Sequence, residues 1–98
     1  MKSKNNAMKV LQDIPGVGKS IARDLRSIHI TTPEDLEGQD PEILYKKLCI
    51  HKGYPVDRCM LYVLRCAVYS VSRDQPQPEL LKWWNWTDVR MKEYNQFK

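Results

Sequence analysis

The sequence predicts an all-α single domain of five or six helices, and three observations support this prediction. Apolar residues recur at helical spacing through most of the chain, helix-start signals occur at Thr32-Pro33 and Asp40-Pro41, and no segment shows the alternation of a strand. With 98 residues, of which 42% are hydrophobic, the chain can bury one core but is too short for two. We therefore expect residues 1–98 to form a single domain.

The first part of the chain, residues 7–28, predicts two helices joined by a glycine turn. A short apolar stretch, Ala7 to Asp13, is stopped by Pro15-Gly16-Val17-Gly18. Beyond the turn, apolar residues recur at helical spacing: Ile21, Ala22, Leu25 and Ile28. Ile14 and Val17, which flank the turn, are expected to be buried.

Two further helix starts and one break divide the middle of the chain. Thr32 as a cap before Pro33 predicts a one-turn connector over residues 33–37, and Asp40 predicts a third helix through about Leu48. Gly53-Tyr54-Pro55 marks the next turn, in which we expect His51. The longest helix, Val56 to about Arg73, is apolar on most faces and is expected to be central.

The carboxy-terminal segment, residues 78–98, follows the stiff linker Gln75-Pro76-Gln77-Pro78 and is rich in tryptophan. Trp83, Trp84 and Trp86 predict a hydrophobic cover over the core, with an exposed stacking or partner surface as the alternative. Thr87 is expected to cap a polar tail.

Basic and aromatic residues alternate along one face of the longest helix. They follow one another at steps of four, three, four and four residues: Arg58, Tyr62, Arg65, Tyr69 and Arg73. Such a stripe could lie against nucleic acid. The favoured interpretation is that its tyrosines pack under the carboxy-terminal segment and that its arginines are solvated or ion-paired.

Charge is distributed unevenly, and the chain carries no membrane or export signal. The net charge is +4, divided into +4 over residues 1–30, −3 over residues 31–50 and +3 over residues 51–98. The longest apolar run, Met60 to Val71, is far shorter than the roughly 20 residues of a membrane span. The amino terminus leads into no apolar signal core. We expect a cytoplasmic protein with no membrane partner.

Three cysteines and a histidine raise the question of a metal site: Cys49, His51, Cys59 and Cys66. Seven helical residues would separate Cys59 from Cys66 by about 10 Å, which is too far to share one zinc ion or to form a disulfide. We expect free thiols, no metal and no cofactor, with Cys59 and Cys66 as small buried side chains.

The segment Leu11-Gln12-Asp13-Ile14-Pro15-Gly16-Val17-Gly18-Lys19-Ser20-Ile21-Ala22-Arg23-Asp24-Leu25 resembles the helix-hairpin-helix motif. This resemblance implies contact with the DNA backbone, independent of base sequence, through the amides of the turn. Those amides lie at the start of the second helix, where free N–H groups and the helix dipole favour the binding of an anion. The candidate contact residues are Gly16, Val17, Gly18, Lys19, Ser20 and Arg23.

A weak internal repeat suggests a second, degenerate hairpin over residues 41–73. A shift of 37 positions places Gly16 on Gly53, Ala22 on Cys59 and Leu25 on Tyr62. Pro55 then takes the position of Gly18, and proline has no N–H to donate to an anion. The resemblance implies a tandem, SAM-like arrangement, in which the first hairpin is the better candidate site.

Over nearly its whole length the chain resembles a family of small bacterial proteins named for a pathogenicity locus and for mitomycin resistance. The resemblance is carried by the first hairpin, by the segment Asp57 to Tyr69 and by Leu80-Leu81-Lys82-Trp83-Trp84-Asn85-Trp86. It implies a fold rather than a reaction. His29 departs from the Gly-Ile that often ends the second helix of the motif, and we expect it to serve as a left-handed cap.

These observations favour DNA binding without catalysis, with a place in repair or recombination. DNA glycosylases with this motif have a lysine where Ser20 stands here, and no catalytic triad or carboxylate pair is evident. No small-molecule substrate is inferred. The alternative is a protein-protein adaptor that uses the tryptophan segment or the acidic residues 34–42.

Overall fold

The computed structural model describes residues 10–95, and within this range it contains helices and turns but no strand. Five α-helices are present: α1 (Lys19–Ser27), α2 (Pro33–Leu36), α3 (Pro41–Lys52), α4 (Arg58–Ser72) and α5 (Asp88–Asn95). Three single turns of 3₁₀ helix accompany them: Leu11–Asp13, Pro78–Leu81 and Trp83–Trp86. The all-α prediction is confirmed. Residues 7–9 of the first predicted segment lie outside the described range.

Helix α4 is central, as its apolar character predicts. It contacts α2, α3 and both 3₁₀ turns of the carboxy-terminal segment. Helices α1 to α4 supply six fully buried leucines: Leu25, Leu36, Leu44, Leu48, Leu61 and Leu64. The radius of gyration, 13.1 Å, is close to the ~13 Å of a single compact domain of this length.

The predicted helix starts are formed by side-chain caps. The carboxylate of Asp40 accepts the amide of Glu42 at 2.9 Å, directly before Pro41 opens α3. At α2, the carboxylate of Asp35 accepts the amides of Thr31 at 3.0 Å and Thr32 at 3.1 Å. These bonds satisfy backbone donors that the first turn of a helix leaves open.

Two helix boundaries differ from those predicted by two or more residues, and the described part of the first predicted helix is the single 3₁₀ turn Leu11–Asp13 rather than an α-helix. Helix α3 continues past Leu48 to Lys52, so that His51 lies in its last turn rather than in the following loop. No breaker precedes Gly53, whose φ of +81° ends the helix in a left-handed conformation. Helix α4 begins at Arg58 rather than Val56, because Asp57 caps it by accepting the amide of Cys59 at 2.8 Å.

The later start of α4 changes the internal repeat. Gly16 and Gly53 both have positive φ, as the shift of 37 requires, but α1 starts three residues after Gly16 and α4 five residues after Gly53. Beyond the turns, a shift of 39 pairs Ala22 with Leu61 and Leu25 with Leu64, and all four side chains are buried. The predicted match of Ala22 to Cys59 is therefore wrong.

The tryptophan segment covers the core with only part of its aromatic surface. Trp83 packs against the core, and the indole of Trp86 lies 5.3 Å from the ring of Tyr69 and donates its N–H to the carbonyl of Leu80 at 2.9 Å. Trp84 is 55% exposed. A 3₁₀ helix has three residues per turn, so Trp83 and Trp86 share a side that Trp84 does not. The predicted cover is thus correct for two tryptophans and wrong for Trp84.

The Arg/Tyr stripe of α4 holds the carboxy-terminal segment in place, as the favoured interpretation predicts. Arg58 forms an ion pair with Asp88 at 2.8 Å. Arg65, whose side chain is only 10% exposed, donates to the carbonyl of Trp86 at 2.8 Å and to the carboxylate of Glu42 at 2.9 Å. These side chains bind other parts of the same protein.

Candidate functional site

The turn between residues 14 and 17 is built from a proline and a left-handed glycine. The amide of Val17 donates to the carbonyl of Ile14 at 3.0 Å, and Gly16 has φ +85°. Pro15 followed by such a glycine is the pattern of a type II β-turn. Ile14 and Val17 are 2% and 5% exposed, as predicted. Because the amide of Val17 is used within the turn, this candidate contact residue shapes the site rather than offering a donor.

Helix α1 begins directly after this turn with an open amino terminus. Gly18 is its N-cap, no side chain caps it, and its first intrahelical bond runs from the amide of Ala22 to the carbonyl of Gly18 at 2.9 Å. Three residues lie between Gly18 and Ala22: Lys19, Ser20 and Ile21. Their amides have no hydrogen-bond acceptor within residues 10–95. Apart from Gly18 and its two chain neighbours, no residue has a heavy atom within 4 Å of where a Cβ on Gly18 would stand. An anion can therefore approach three donors at the positive end of the helix dipole.

Three cations extend this site along one face of α1. Lys19, Arg23 and Arg26 are exposed and lie four and three residues apart. None of them forms an ion pair with a described residue. Sequence reasoning found Lys19 and Arg23 but missed Arg26, although its spacing from Lys19 places it on the same face.

The acid of α1 does not oppose this cationic face. Asp24, the only acidic residue in the helix, is bonded to Lys52 at 3.1 Å, and that contact raises the pKa of the lysine. Ser20 is exposed beside Lys19 in the first turn, where its hydroxyl can donate to the same anion. The face of α1 that begins at the hairpin is therefore basic.

The corresponding end of α4 is closed. The carboxylate of Asp57 bonds to the amide of Cys59, and that bond lowers the pKa of the aspartate. This places a negative charge at the helix start, where α1 has only Gly18. Sequence reasoning expected the second hairpin to bind anions less well because of Pro55. It missed the cap at Asp57 because the predicted helix began two residues too early, at Val56, which placed Asp57 inside the helix.

Long-range packing supports the first turn from behind. A Cβ on Gly16 would lie 3.7 Å from Cγ1 of Val63 and 3.8 Å from Cδ1 of Trp83. The turn thus rests on α4 and on the tryptophan cover. Neither neighbour could be identified from the motif, because both lie more than 45 residues away in sequence.

Comparison with known proteins identifies the family. The model of the family described as "Pathogenicity locus" matches residues 4–92. The chain belongs to this family. It is also similar to "Mitomycin resistance protein McrB" of Streptomyces lavendulae, with 31% identity over 80 residues, which cover 82% of this chain and 72% of the relative. No solved structure matches it. The resemblance to the pathogenicity-locus and mitomycin-resistance family, inferred from the sequence, is confirmed.

In this member of the Pathogenicity locus family, α1 ends in a histidine cap. His29 has φ +71°, its amide donates to the carbonyl of Arg26 at 3.0 Å, and the amide of Ile30 donates to the carbonyl of Leu25 at 2.9 Å. This pair of bonds defines a Schellman motif. The prediction of a left-handed cap at His29 is confirmed.

The three cysteines of this family member lie in different environments. Cys66 is buried, and burial raises the pKa of its thiol to about 11. Cys49 is partly buried and accepts the amide of Val56 at 3.3 Å. Cys59 is exposed, contrary to prediction, and lies in the first turn of α4. All three are free thiols, and residues 10–95 contain no group of three side chains placed to hold a metal ion.

The helices of this family member are short. In the described part of the chain, none has the length and apolar character needed to cross a membrane.

Proposed function

We propose that this protein binds the phosphate backbone of DNA at the first hairpin, without reading base sequence and without catalysis. The observation that carries the proposal is the uncapped start of α1, where three amides have no acceptor in the described residues. Backbone amides recognise phosphate oxygens and carry no information about the bases. The expected binding is therefore sequence-tolerant.

Each residue at the hairpin has a separate part in this proposal. Gly16 provides the turn that aims the helix start outwards, and Gly18 leaves the approach open. Lys19 and Ser20 add a charge and a hydroxyl to the same phosphate, and Arg23 contacts the next one along the strand. No cofactor is needed for any of these contacts.

The adaptor alternative has less support. Three of the acids in residues 34–42 serve the fold: Asp35 and Asp40 accept backbone amides, and Glu42 pairs with Arg65. Trp84 is the exposed tryptophan of the cover, and it contacts Trp83 edge to face. The sequence, with its acidic residues 34–42 and three tryptophans, suggests a large surface for a protein partner. The surface that remains is smaller, because most of these side chains have contacts within the fold.

A cytoplasmic role in DNA repair or recombination is part of the proposal. The printed name of the similar Streptomyces protein concerns mitomycin resistance, and this provides a cellular test. A strain that lacks the gene should regain growth on mitomycin when it carries the wild-type gene, but not when it carries a variant with a blocked hairpin. Equal rescue by both genes would show that mitomycin resistance does not depend on DNA binding at the hairpin.

The direct test is a titration of labelled duplex, single-stranded and forked DNA over a range of salt concentrations. We expect dissociation constants of roughly 10⁻⁴ to 10⁻⁶ M at physiological salt. Two to four phosphate contacts should give a log-log salt slope of about −2 to −4. Folded wild-type protein that binds none of the three DNA forms at about 100 μM (~10⁻⁴ M) would favour the adaptor instead.

The sharpest variant is Gly18→Asp, which copies the cap of α4 onto α1. Gly18 has φ −94°, which any residue can adopt, and aspartate is a good N-cap, so the fold should be retained. Its carboxylate would occupy the amides and repel phosphate, and we expect binding to fall at least about tenfold, the equivalent of 1.4 kcal/mol. Gln75→Asp makes the same change of charge at an exposed site outside α1 and should have little effect. Equal losses in the two variants would indicate a general charge effect rather than a hairpin site.

A further inference from the structure

We infer that the bound nucleic-acid strand continues along α1 and reaches a second anion site, a groove between the end of α1 and the last turns of α3. This inference rests on the proposed function and extends it by naming additional contact residues. Its central residues are Lys47 and His51 of α3 and His29, the cap of α1.

The groove has a volume of about 350 Å³ and combines cationic, polar and apolar side chains. Six residues line it: Ser27, Ile28, His29, Lys47, Ile50 and His51. Lysine and imidazole N–H groups are donors to phosphate oxygens, and the isoleucines offer an apolar surface to a sugar or base. Ile50 is 81% exposed. This composition suits a nucleotide better than a simple ion.

The positive charge of Lys47 in the groove is not neutralised within the described part of the protein. No acidic side chain lines it, and Lys47 is exposed without an ion pair among residues 10–95. Asp24 of α1 is bonded to Lys52. A ligand of negative charge is therefore the complement that the groove lacks.

The groove and the hairpin lie at opposite ends of α1. Eight residues separate Lys19 from Ser27, which corresponds to about 12 Å at 1.5 Å per residue. One strand of B-form DNA carries a phosphate every ~3.4 Å along its axis, so this distance spans three to four phosphates. Arg23 and Arg26 lie between the two ends, and a single strand can contact all of them.

His29 contributes both to the end of α1 and to the groove. Its φ of +71° belongs to the Schellman motif that ends α1, and its exposed imidazole lines the groove. An imidazole can donate an N–H to a phosphate oxygen, so His29 adds a donor to the groove that Lys47 also lines.

The test compares Lys47→Ala with Lys46→Ala in the full chain, using a 12-nucleotide single strand. Both lysines are exposed on α3, but they lie about 100° apart around the helix, and Lys46 does not line the groove. Loss of one phosphate contact should make the salt slope shallower by ~0.7 and weaken binding about fivefold at 0.1 M salt. Lys46→Ala should weaken binding by less than about twofold.

A dinucleotide is the second probe, because its one phosphodiester cannot occupy the hairpin and the groove at the same time. Lys47→Ala should therefore leave its binding at the hairpin amides unchanged, as followed by backbone amide chemical shifts at millimolar ligand. Equal effects of the two lysine variants on the 12-nucleotide strand would overturn the groove while Gly18→Asp still tests the hairpin. Absence of wild-type binding to either probe would overturn the proposed function itself.

Discussion

The two glycines of the hairpin, Gly16 and Gly18, have different physical roles although the motif has glycine at both positions. Gly16 has φ +85° and lies against Val63 and Trp83, whereas Gly18 has φ −94° and faces open space. Gly16 is needed for the backbone conformation. In the proposed binding, Gly18 leaves the approach to the amides at the start of α1 open.

This difference predicts that alanine substitutions at the two positions change the free energy of unfolding by different amounts. Gly16→Ala should lower the free energy of unfolding by about 1–2 kcal/mol, because alanine is strained at positive φ. Gly18→Ala should change it by less than about 0.5 kcal/mol, since alanine is a poorer N-cap but reduces the entropy of the unfolded chain. Urea unfolding measures both values. Similar losses would mean that Gly18 also has a structural role.

At the scale of elements, Arg65 connects three parts of the fold. Its guanidinium contacts Glu42 at the start of α3, the carbonyl of Trp86 in the cover and Asp88 at the start of α5. A buried arginine must keep such partners, because an unpaired charge in that environment is costly. The polar stripe of α4 thus fastens the carboxy-terminal segment to the core that supports the hairpin.

The tryptophan cover predicts unequal costs for the loss of its rings. Trp83→Ala should lower the free energy of unfolding by about 2–3 kcal/mol, somewhat below the 3–5 kcal/mol of a fully buried aromatic ring. Trp84→Ala should cost less than about 1 kcal/mol, because that side chain is 55% exposed.

The same pair of variants tests the support of the turn. Trp83→Ala removes an atom that lies beside Gly16 and should also weaken DNA binding, whereas Trp84→Ala should not. Thermal unfolding and the DNA titration provide the two measurements. A larger effect of Trp84→Ala on binding than on stability would instead indicate a contact surface at that ring.

At the scale of the whole molecule, three aspartates make stability depend on pH. Hydrogen bonds lower the pKa of each carboxyl: the amide of Thr31 acts on Asp35, the amide of Cys59 on Asp57 and the guanidinium of Arg58 on Asp88. A lowered folded pKa means that the unfolded chain binds protons more readily. The associated stability is therefore complete above the unfolded value of ~3.9 and is lost as the pH falls through the folded values.

We accordingly expect the urea midpoint to be level between pH 6 and 7 and to fall below about pH 4. Asp88→Asn removes one of these groups and should make the decline shallower, while lowering the midpoint at pH 7 through loss of the pair with Arg58. The matched control is Glu34→Gln, since the side chain of Glu34 is exposed and forms no hydrogen bond or ion pair with a described residue. A variant Asp88→Asn that follows the wild-type curve would contradict this assignment.

The order of the elements, the turn at Gly16 and the cap at His29 could be predicted from sequence because each depends on local chemistry. Proline, glycine and capping carboxylates act on backbone groups within a few residues, and helical spacing needs no partner. The same local signals place Gly18, Lys19, Ser20 and Arg23 at the start of one helix.

Only the tertiary structure decided which charged side chains are exposed and unpaired, and so available to a ligand. Arg26 and Arg65 are both arginines within helices. Arg26 is exposed and forms no ion pair in the described chain, whereas Arg65 forms ion pairs with Glu42 and Asp88. Asp24 is neutralised by Lys52 because α1 packs against α3. Burial and ion pairing depend on residues far apart in the chain, and their energies are set by the packed core rather than by any local pattern.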